Sequence, residues 1–237
     1  MADRHSLFDT IISSFAPVHR DGHKFLMIAA GLGLVFLLMW PPLGWLLVLI
    51  ALFIAYFFRD PERVSPLREG LVVSPADGRV SSIEVVRPPA ELGLGDVPRQ
   101  RISIFLSVFD VHINRSPVAG RIKRSVYVPG AFLNAAVDKA SEENERRALV
   151  VELADGSEIG VVQIAGLIAR RIVTFKGEGE SLGVGERFGL IRFGSRVDLF
   201  LPPGRTSLVA VGQLAIGGET ILADLKSDEP EREARAA

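Results

Sequence analysis

The most pronounced pattern in the chain is an almost charge-free run over 25–58, interrupted only by Trp40-Pro41-Pro42-Leu43-Gly44-Trp45. Each arm holds roughly sixteen residues, or about 24 Å of helix, somewhat short of a hydrocarbon core of about 30 Å. The spacing predicts two antiparallel membrane helices, with Pro-Pro and Gly at the turn and the two tryptophans at an interface. A loop that enters one leaflet and returns, or one long kinked span, is the alternative. A hairpin would place Arg20 and Lys24 before it, and Arg59, Arg63 and Arg68 after it, together on the cytoplasmic side of the cell (inner) membrane. Ahead of the hairpin, in 1–24, Phe8, Ile11, Ile12 and Phe15 are spaced like one face of a short amphipathic helix. Its partner is either a membrane surface or the protein's own body. The apolar run begins too late for a secretory signal.

After a polar, proline-punctuated linker at 59–70, the pattern changes to short segments with period two. Strands are predicted at 71–73, 79–86, 101–108, 120–127, 148–153, 158–164, 172–175, 187–193, 197–201 and 208–211. Turn signals such as Ala76-Asp77-Gly78 and Ala154-Asp155-Gly156 separate them. The expected fold is mainly β, an antiparallel β-sandwich or barrel-like catalytic domain over 71–226, preceded by the α-helical membrane hairpin. The one helical candidate of any length within it is 133–143. The tail at 227–237 is charged and expected to be mobile.

Composition narrows the chemistry. The chain has 237 residues, 48% of them apolar, with a formal net charge of −1, which gives no sign of a nucleic-acid partner. Without cysteine there is no disulfide, zinc-thiolate site or cysteine nucleophile. Of the four histidines, His5, His19 and His23 lie in the N-terminal tail, leaving His112 as the one imidazole of the main body. No metal or nucleotide motif stands out. The glycine-rich stretches at 177–180 and 183–186 are acidic and lack the lysine of a phosphate loop, so they read as a hairpin loop before the strand at 197–201.

That strand belongs to the decapeptide Phe193-Gly194-Ser195-Arg196-Val197-Asp198-Leu199-Phe200-Leu201-Pro202. Apolar Val197, Leu199 and Leu201 alternate with Arg196, Asp198 and Phe200, so Gly194-Ser195 falls at a strand entrance and Asp198 reads as a solvent-facing carboxylate. The decapeptide resembles the self-cleavage motif of the phosphatidylserine decarboxylase family. Further motifs similar to that family follow in the expected order: Phe57-Phe58-Arg59-Asp60-Pro61, Ser74-Pro75-Ala76-Asp77-Gly78, Asp110-Val111-His112 and Lys139-Ala140-Ser141-Glu142-Glu143-Asn144-Glu145-Arg146. The resemblance runs from about residue 57 to 222.

It implies a precursor cut between Gly194 and Ser195, with Ser195 converted to a covalent pyruvoyl group, the only cofactor needed. A serine hydroxyl can attack the preceding carbonyl, and glycine there leaves the attack unobstructed and tolerates unusual backbone angles. The resulting ketone can form a Schiff base with the amine of phosphatidylserine and accept the electrons released as carbon dioxide leaves, giving phosphatidylethanolamine. The resemblance makes His112 the acid/base catalyst and places Asp77 behind it. Asp110, two residues from His112, competes for that role, and sequence does not rank the two. Members of the family often carry a second histidine three positions on, where this chain has Arg115. Arg170 and Arg171 are candidates to meet the anionic headgroup. The implied partners are phosphatidylserine and membrane lipids, the cleaved large and small chains are expected to stay associated, and a homodimer is allowed. Two other readings fit parts of the sequence: a membrane-anchored adaptor that never cleaves, and a decarboxylase of another aminoacyl lipid headgroup. An adaptor needs neither Ser195 nor His112.

Overall fold

A computed structural model describes residues 16–130, 143–166, 171–192, 194–227, 229, 230 and 232. The helical candidate at 133–143 apart from its last residue, the apolar face formed by Phe8 to Phe15, Arg170 and most of the charged tail lie outside them. The chain divides into two compact units between Glu62 and Arg63.

The first unit is a helical hairpin, α1 (Arg20–Met39) and α2 (Pro41–Phe57). The first helix starts five residues before the charge-free run, because the His19 ring accepts the Asp21 N–H and caps it. At 20 residues it is long and apolar enough to cross a membrane, while α2 at 17 residues is a shorter apolar helix. Pro41 opens α2 where its missing N–H costs nothing. The helices meet through small residues, with Gly22, Ala29 and Gly33 buried on one and Gly44 and Ala51 on the other. A Cβ on Gly44 would stand 2.4 Å from the Leu37 backbone nitrogen, so only glycine permits this approach. Leu38 and Met39 are 84% and 74% exposed, and an outer face of that kind calls for lipid around it. The open end of the hairpin is zipped shut by His19 N–H to the Phe58 carbonyl (2.7 Å) and Asp60 N–H to the Pro17 carbonyl (2.7 Å), with Phe25 stacked on Phe58.

In the second unit every described strand pair is antiparallel. Its strands are β1 (Leu71–Val73), β2 (Gly78–Val86), β3 (Arg99–Leu106), β4 (Ile113–Arg115), β5 (Gly120–Val128), β6 (Arg146–Glu152), β7 (Glu158–Ala165), β8 (Ile172–Thr174), β9 (Ser181–Leu182), β10 (Arg187–Ile191), β11 (Ser195–Phe200), β12 (Leu214–Ala215) and β13 (Ile221–Asp224). Eight form one sheet in the order β12-β2-β3-β11-β7-β6-β5-β9, three form a small sheet β4-β10-β8, and β1 pairs with β13. Apolar side chains of both larger sheets share the main core, among them Ile104, Leu106, Val161, Val197 and Leu199 from the large sheet and Phe188 and Ile191 from the small one. The other face of the large sheet is also covered: Phe200, Val162 and Ile164 pack with Leu92, Leu94, Ala148 and Val150 in a second cluster.

That second cluster changes the reading of the central strand. Every residue of β11 is buried, and Asp198, expected to face solvent, instead forms a buried ion pair with Arg196, Nε to Oδ1 at 2.9 Å. Alternation marked one buried face, but not the cover on the other. The segment 208–211 is not a strand: an isolated bridge joins Ser207, just ahead of it, to Ala223, and the Leu208 N–H reaches the Leu222 carbonyl at 2.7 Å, but no ladder continues from there. The short strands β4, β9, β12 and β13 were not anticipated. Nor do the glycine-rich loops lead directly into β11: they flank β9, and β10 intervenes.

Candidate active site

Gly194 is the point at which the chain passes from the small sheet to the large one, between the end of β10 and the start of β11. Its φ of +57° is left-handed, a conformation that side-chain-bearing residues resist. A Cβ built there would meet nothing within 4 Å, so backbone angle rather than crowding selects glycine. Ser195 follows as the first residue of β11, paired with Leu106 on one side and Ala165 on the other. It shares the core face with Val197 and Leu199. The residue is fully buried, and its hydroxyl has no hydrogen-bond partner among the described residues. A buried orphan hydroxyl costs on the order of 1–3 kcal/mol, and such strain clusters where chemistry is done.

His112, the residue before β4, reaches the N–H of Gly194, one peptide ahead of the Gly194-Ser195 bond. Leu190 pairs with Ile113, and the Ile191 N–H continues the ladder to the His112 carbonyl at 3.2 Å, which sets the imidazole beside the crossover. Its Nε2 accepts the Gly194 N–H at 3.3 Å, and its Nδ1 donates to the Asp110 backbone carbonyl at 2.9 Å. Together these contacts correspond to a neutral ring protonated at Nδ1, with the Nε2 lone pair on the Gly194 N–H, one peptide before the Gly194-Ser195 bond. A buried bond from Gln163 Nε2 to Asn114 Oδ1, 2.7 Å, ties β4 to β7 across the core.

The two candidate carboxylates are placed differently. The Asp110 carboxylate accepts the Ser107 N–H at 2.7 Å and closes its own turn, while the backbone carbonyl of the same residue orients the imidazole. Asp77 pairs with Arg63 at 2.6 Å and accepts the Gly217 N–H at 2.8 Å. It enters from β2, whose Arg79 pairs with Phe105 of β3, so its backbone stands two strands from Ser195, about 10 Å away. Arg115, where the family often has histidine, is buried and donates from Nη1 to the Gly185 carbonyl at 3.0 Å. Arg171 is exposed beyond the end of β7. Nearby, the Tyr127 hydroxyl is pushed above its ordinary range, first by desolvation and then by the Glu145 carboxylate, with Arg171 opposing. Among the described residues, no cluster of His, Asp and Glu is placed to hold a metal. An apolar cleft bordered by Leu71, Val118 and Leu153 opens near the β6-β7 turn, the opposite end of β7 from Ser195, and takes no part in the site.

One contact at the junction carries no signal in the sequence. The Gly166 N–H donates to the Gly194 carbonyl at 3.0 Å, extending the β7-β11 ladder by one pair. The reciprocal Gly194 N–H turns instead to His112. The carbonyl that Ser195 would attack therefore already holds a donor at the distance an oxyanion needs. Only strand register, set over the whole sheet, brings Gly166 to this position.

A buried hydroxyl beside a glycine carbonyl that already holds a donor, with an imidazole on the N–H of the same glycine, is the equipment that a protein transferring an acyl group within its own backbone would need. Comparison with known proteins agrees with that class. The family model for phosphatidylserine decarboxylase matches residues 50–223, and a relative from Cereibacter sphaeroides, described as a phosphatidylserine decarboxylase proenzyme, is 55% identical over 228 residues, 96% of this chain and 98% of that relative. The chain belongs to the phosphatidylserine decarboxylase family.

Proposed function

We propose that this protein is a membrane-associated phosphatidylserine decarboxylase, made as a precursor that divides itself between Gly194 and Ser195 and takes its catalytic group from Ser195. The observation that carries the reading is the buried, unpartnered Ser195 hydroxyl directly after a left-handed glycine whose carbonyl is already hydrogen-bonded. Ser195 Oγ adds to the Gly194 carbonyl carbon as its proton passes to His112 Nε2. The C–N bond then breaks, its nitrogen takes that proton, and an ester joins the two halves. Loss of the Ser195 Cα proton expels the Gly194 carboxylate and leaves a dehydroalanine, which tautomerises to an imine. Water converts the imine to a ketone and ammonia. The pyruvoyl ketone so formed would supply the electron sink for loss of carbon dioxide from phosphatidylserine, with phosphatidylethanolamine as product.

The residues present suit such a group, since the Ser195 Oγ, which would leave with the Gly194 carboxylate, has no described partner to release, and the Cα and Cβ left behind would be the ketone carbon and methyl of the pyruvoyl group. His112 would hold the proton later returned to the substrate carbon. Its orientation comes from the Asp110 carbonyl, with Asp77 or Asp110 supplying negative charge behind the ring. Arg171, with Arg170, would meet the phosphate or carboxylate of the headgroup. The fold also supports retention of both products of cleavage, because β11 lies between β3 and β7, and β13 lies against β1. The hairpin would hold the enzyme at the inner membrane, with the β unit on the cytoplasmic side.

Intact mass spectrometry of the detergent-solubilised protein tests this reading. Two chains divided between Gly194 and Ser195 are expected, the smaller with the mass of an N-terminal pyruvoyl group, together with carbon dioxide release from phosphatidylserine vesicles. A single unmodified chain from a folded preparation incubated with anionic lipid would overturn it.

A further inference from the structure

The peptide unit that donates to the Gly194 carbonyl is itself held from behind. Asn144, fully buried, donates from Nδ2 to the Ala165 carbonyl at 2.7 Å. That carbonyl and the Gly166 N–H belong to one amide, so the contacts form a chain: Asn144 carboxamide to the Ala165 carbonyl, then the Gly166 N–H to the Gly194 carbonyl at 3.0 Å. A donor on the carbonyl end of an amide increases the polarisation of its N–H, and bonds arranged in this order strengthen one another. The neighbouring residue fixes both sides of the segment that follows: the Glu145 backbone carbonyl accepts the Ala165 N–H at 2.9 Å, and its carboxylate accepts the Ile172 N–H at 3.3 Å. A lone carboxamide with nothing to position could have satisfied itself anywhere in a buried interior. This one is aimed at the single peptide whose other end touches the scissile carbonyl.

We propose that Asn144 is a positioning residue for self-cleavage, polarising and aiming the 165–166 peptide so that its N–H stabilises the oxyanion formed when Ser195 attacks Gly194. This rests on the reading of the chain as a self-cleaving decarboxylase and extends it to a residue that acts through the 165–166 peptide. The step assisted is addition of the hydroxyl to the carbonyl: the new C–O bond forms, the carbonyl electron pair moves onto oxygen, and the Gly166 N–H meets the charge. Loss of an oxyanion donor typically slows such a step by about 10²–10³, and Asn144 acts through one, so a loss of about tenfold or more is expected for Asn144→Ala.

The test follows division of the freshly translated chain in detergent, with and without hydroxylamine, which cuts an accumulated ester. Asn144→Ala should divide slowly, and hydroxylamine should not restore the rate, because the slowed step precedes the ester. Restoration by hydroxylamine, or division at the parent rate, overturns the proposal. The nearly isosteric Asn144→Asp guards against a misfolded alanine variant: its carboxyl can donate when protonated and cannot when ionised. The ratio of its rate to the parent's should therefore fall as pH rises, and a ratio flat with pH overturns the proposal. If the parent chain itself never divides at Gly194, the decarboxylase reading fails instead.

Discussion

His112 carries two constraints at once: its Nδ1 is committed to the Asp110 carbonyl, which leaves Nε2 to face the Gly194 amide. A ring held at one nitrogen by a backbone acceptor cannot easily present the wrong tautomer. His112→Ala removes the base and should slow self-cleavage by about 10²–10⁴, read as the fraction of divided chain against time. Division at the parent rate would remove His112 from the mechanism. Asp110→Asn is a finer probe, since it keeps an acceptor for the Ser107 N–H and leaves the orienting carbonyl in place. Its rate should stay near that of the parent. A collapse comparable with His112→Ala would mean that the negative charge of Asp110, rather than its backbone, sustains the imidazole.

Among the elements, the α1-α2 contact offers a paired comparison. A Cβ on Gly44 would collide with the Leu37 backbone, whereas one on Gly31 would meet nothing. Gly44→Ala should therefore destabilise the hairpin by about 1–3 kcal/mol, and Gly31→Ala should stabilise it by up to about 1 kcal/mol through helix propensity. Thermal unfolding in detergent, monitored by helical circular dichroism, separates the two, and equal shifts would mean the helices do not pack through Gly44. At the β1-β13 pair, the Asp224 carboxyl is held below its ordinary range, first by the Lys226 N–H and then by Arg68. A carboxyl with a depressed folded-state pKa stabilises the fold above its unfolded value, near 3.9, and loses that contribution as pH falls through the folded value. The gap in Tm between the parent and Asp224→Asn should thus be present at neutral pH and close below about pH 4. These elements also mark what a sequence can show. The longer strands, such as β2, β5 and β7, and the hairpin were legible because periodicity or continuous apolar character extended over many residues. Of the two- to four-residue strands, only β1 and β8 were, and β4, β9, β12 and β13 were not, because too few positions alternate to make a pattern. The 208–211 segment imitated a strand because Val209 packs into the core, although backbone pairing with β13 stops at Leu208. Ser195 and His112 were legible through their motifs and Asn144 stood in one without a role, whereas the contacts of Gly166 and Asn144 are with partners 28 and 21 residues away in sequence, which only sheet register brings together.

At the scale of the whole molecule, chemistry and membrane affinity fall on different stretches of chain. The shared core, the ladders on both sides of β11, and the described contacts of Ser195, His112, Asp77 and Asn144 all come from residues after 62. The outward-facing Met27, Leu38, Leu46 and Leu49 all come from residues before it. Residues 63–237 expressed alone should therefore fold without detergent and divide at Gly194 near the parent rate. After division, the fragments should co-elute in high salt, because the β11 ladder bonds on both edges are not ionic and salt does not screen them. What the truncated enzyme should lose is the effective concentration that the hairpin provides at a lipid surface. Turnover of phosphatidylserine in vesicles should fall by about tenfold or more, while turnover of a dispersed short-chain phosphatidylserine should stay close to that of the full chain. A truncated chain that folds but remains undivided would mean that the hairpin contributes to the cleavage site itself, and equal turnover on vesicles would mean that the β unit carries its own membrane contact.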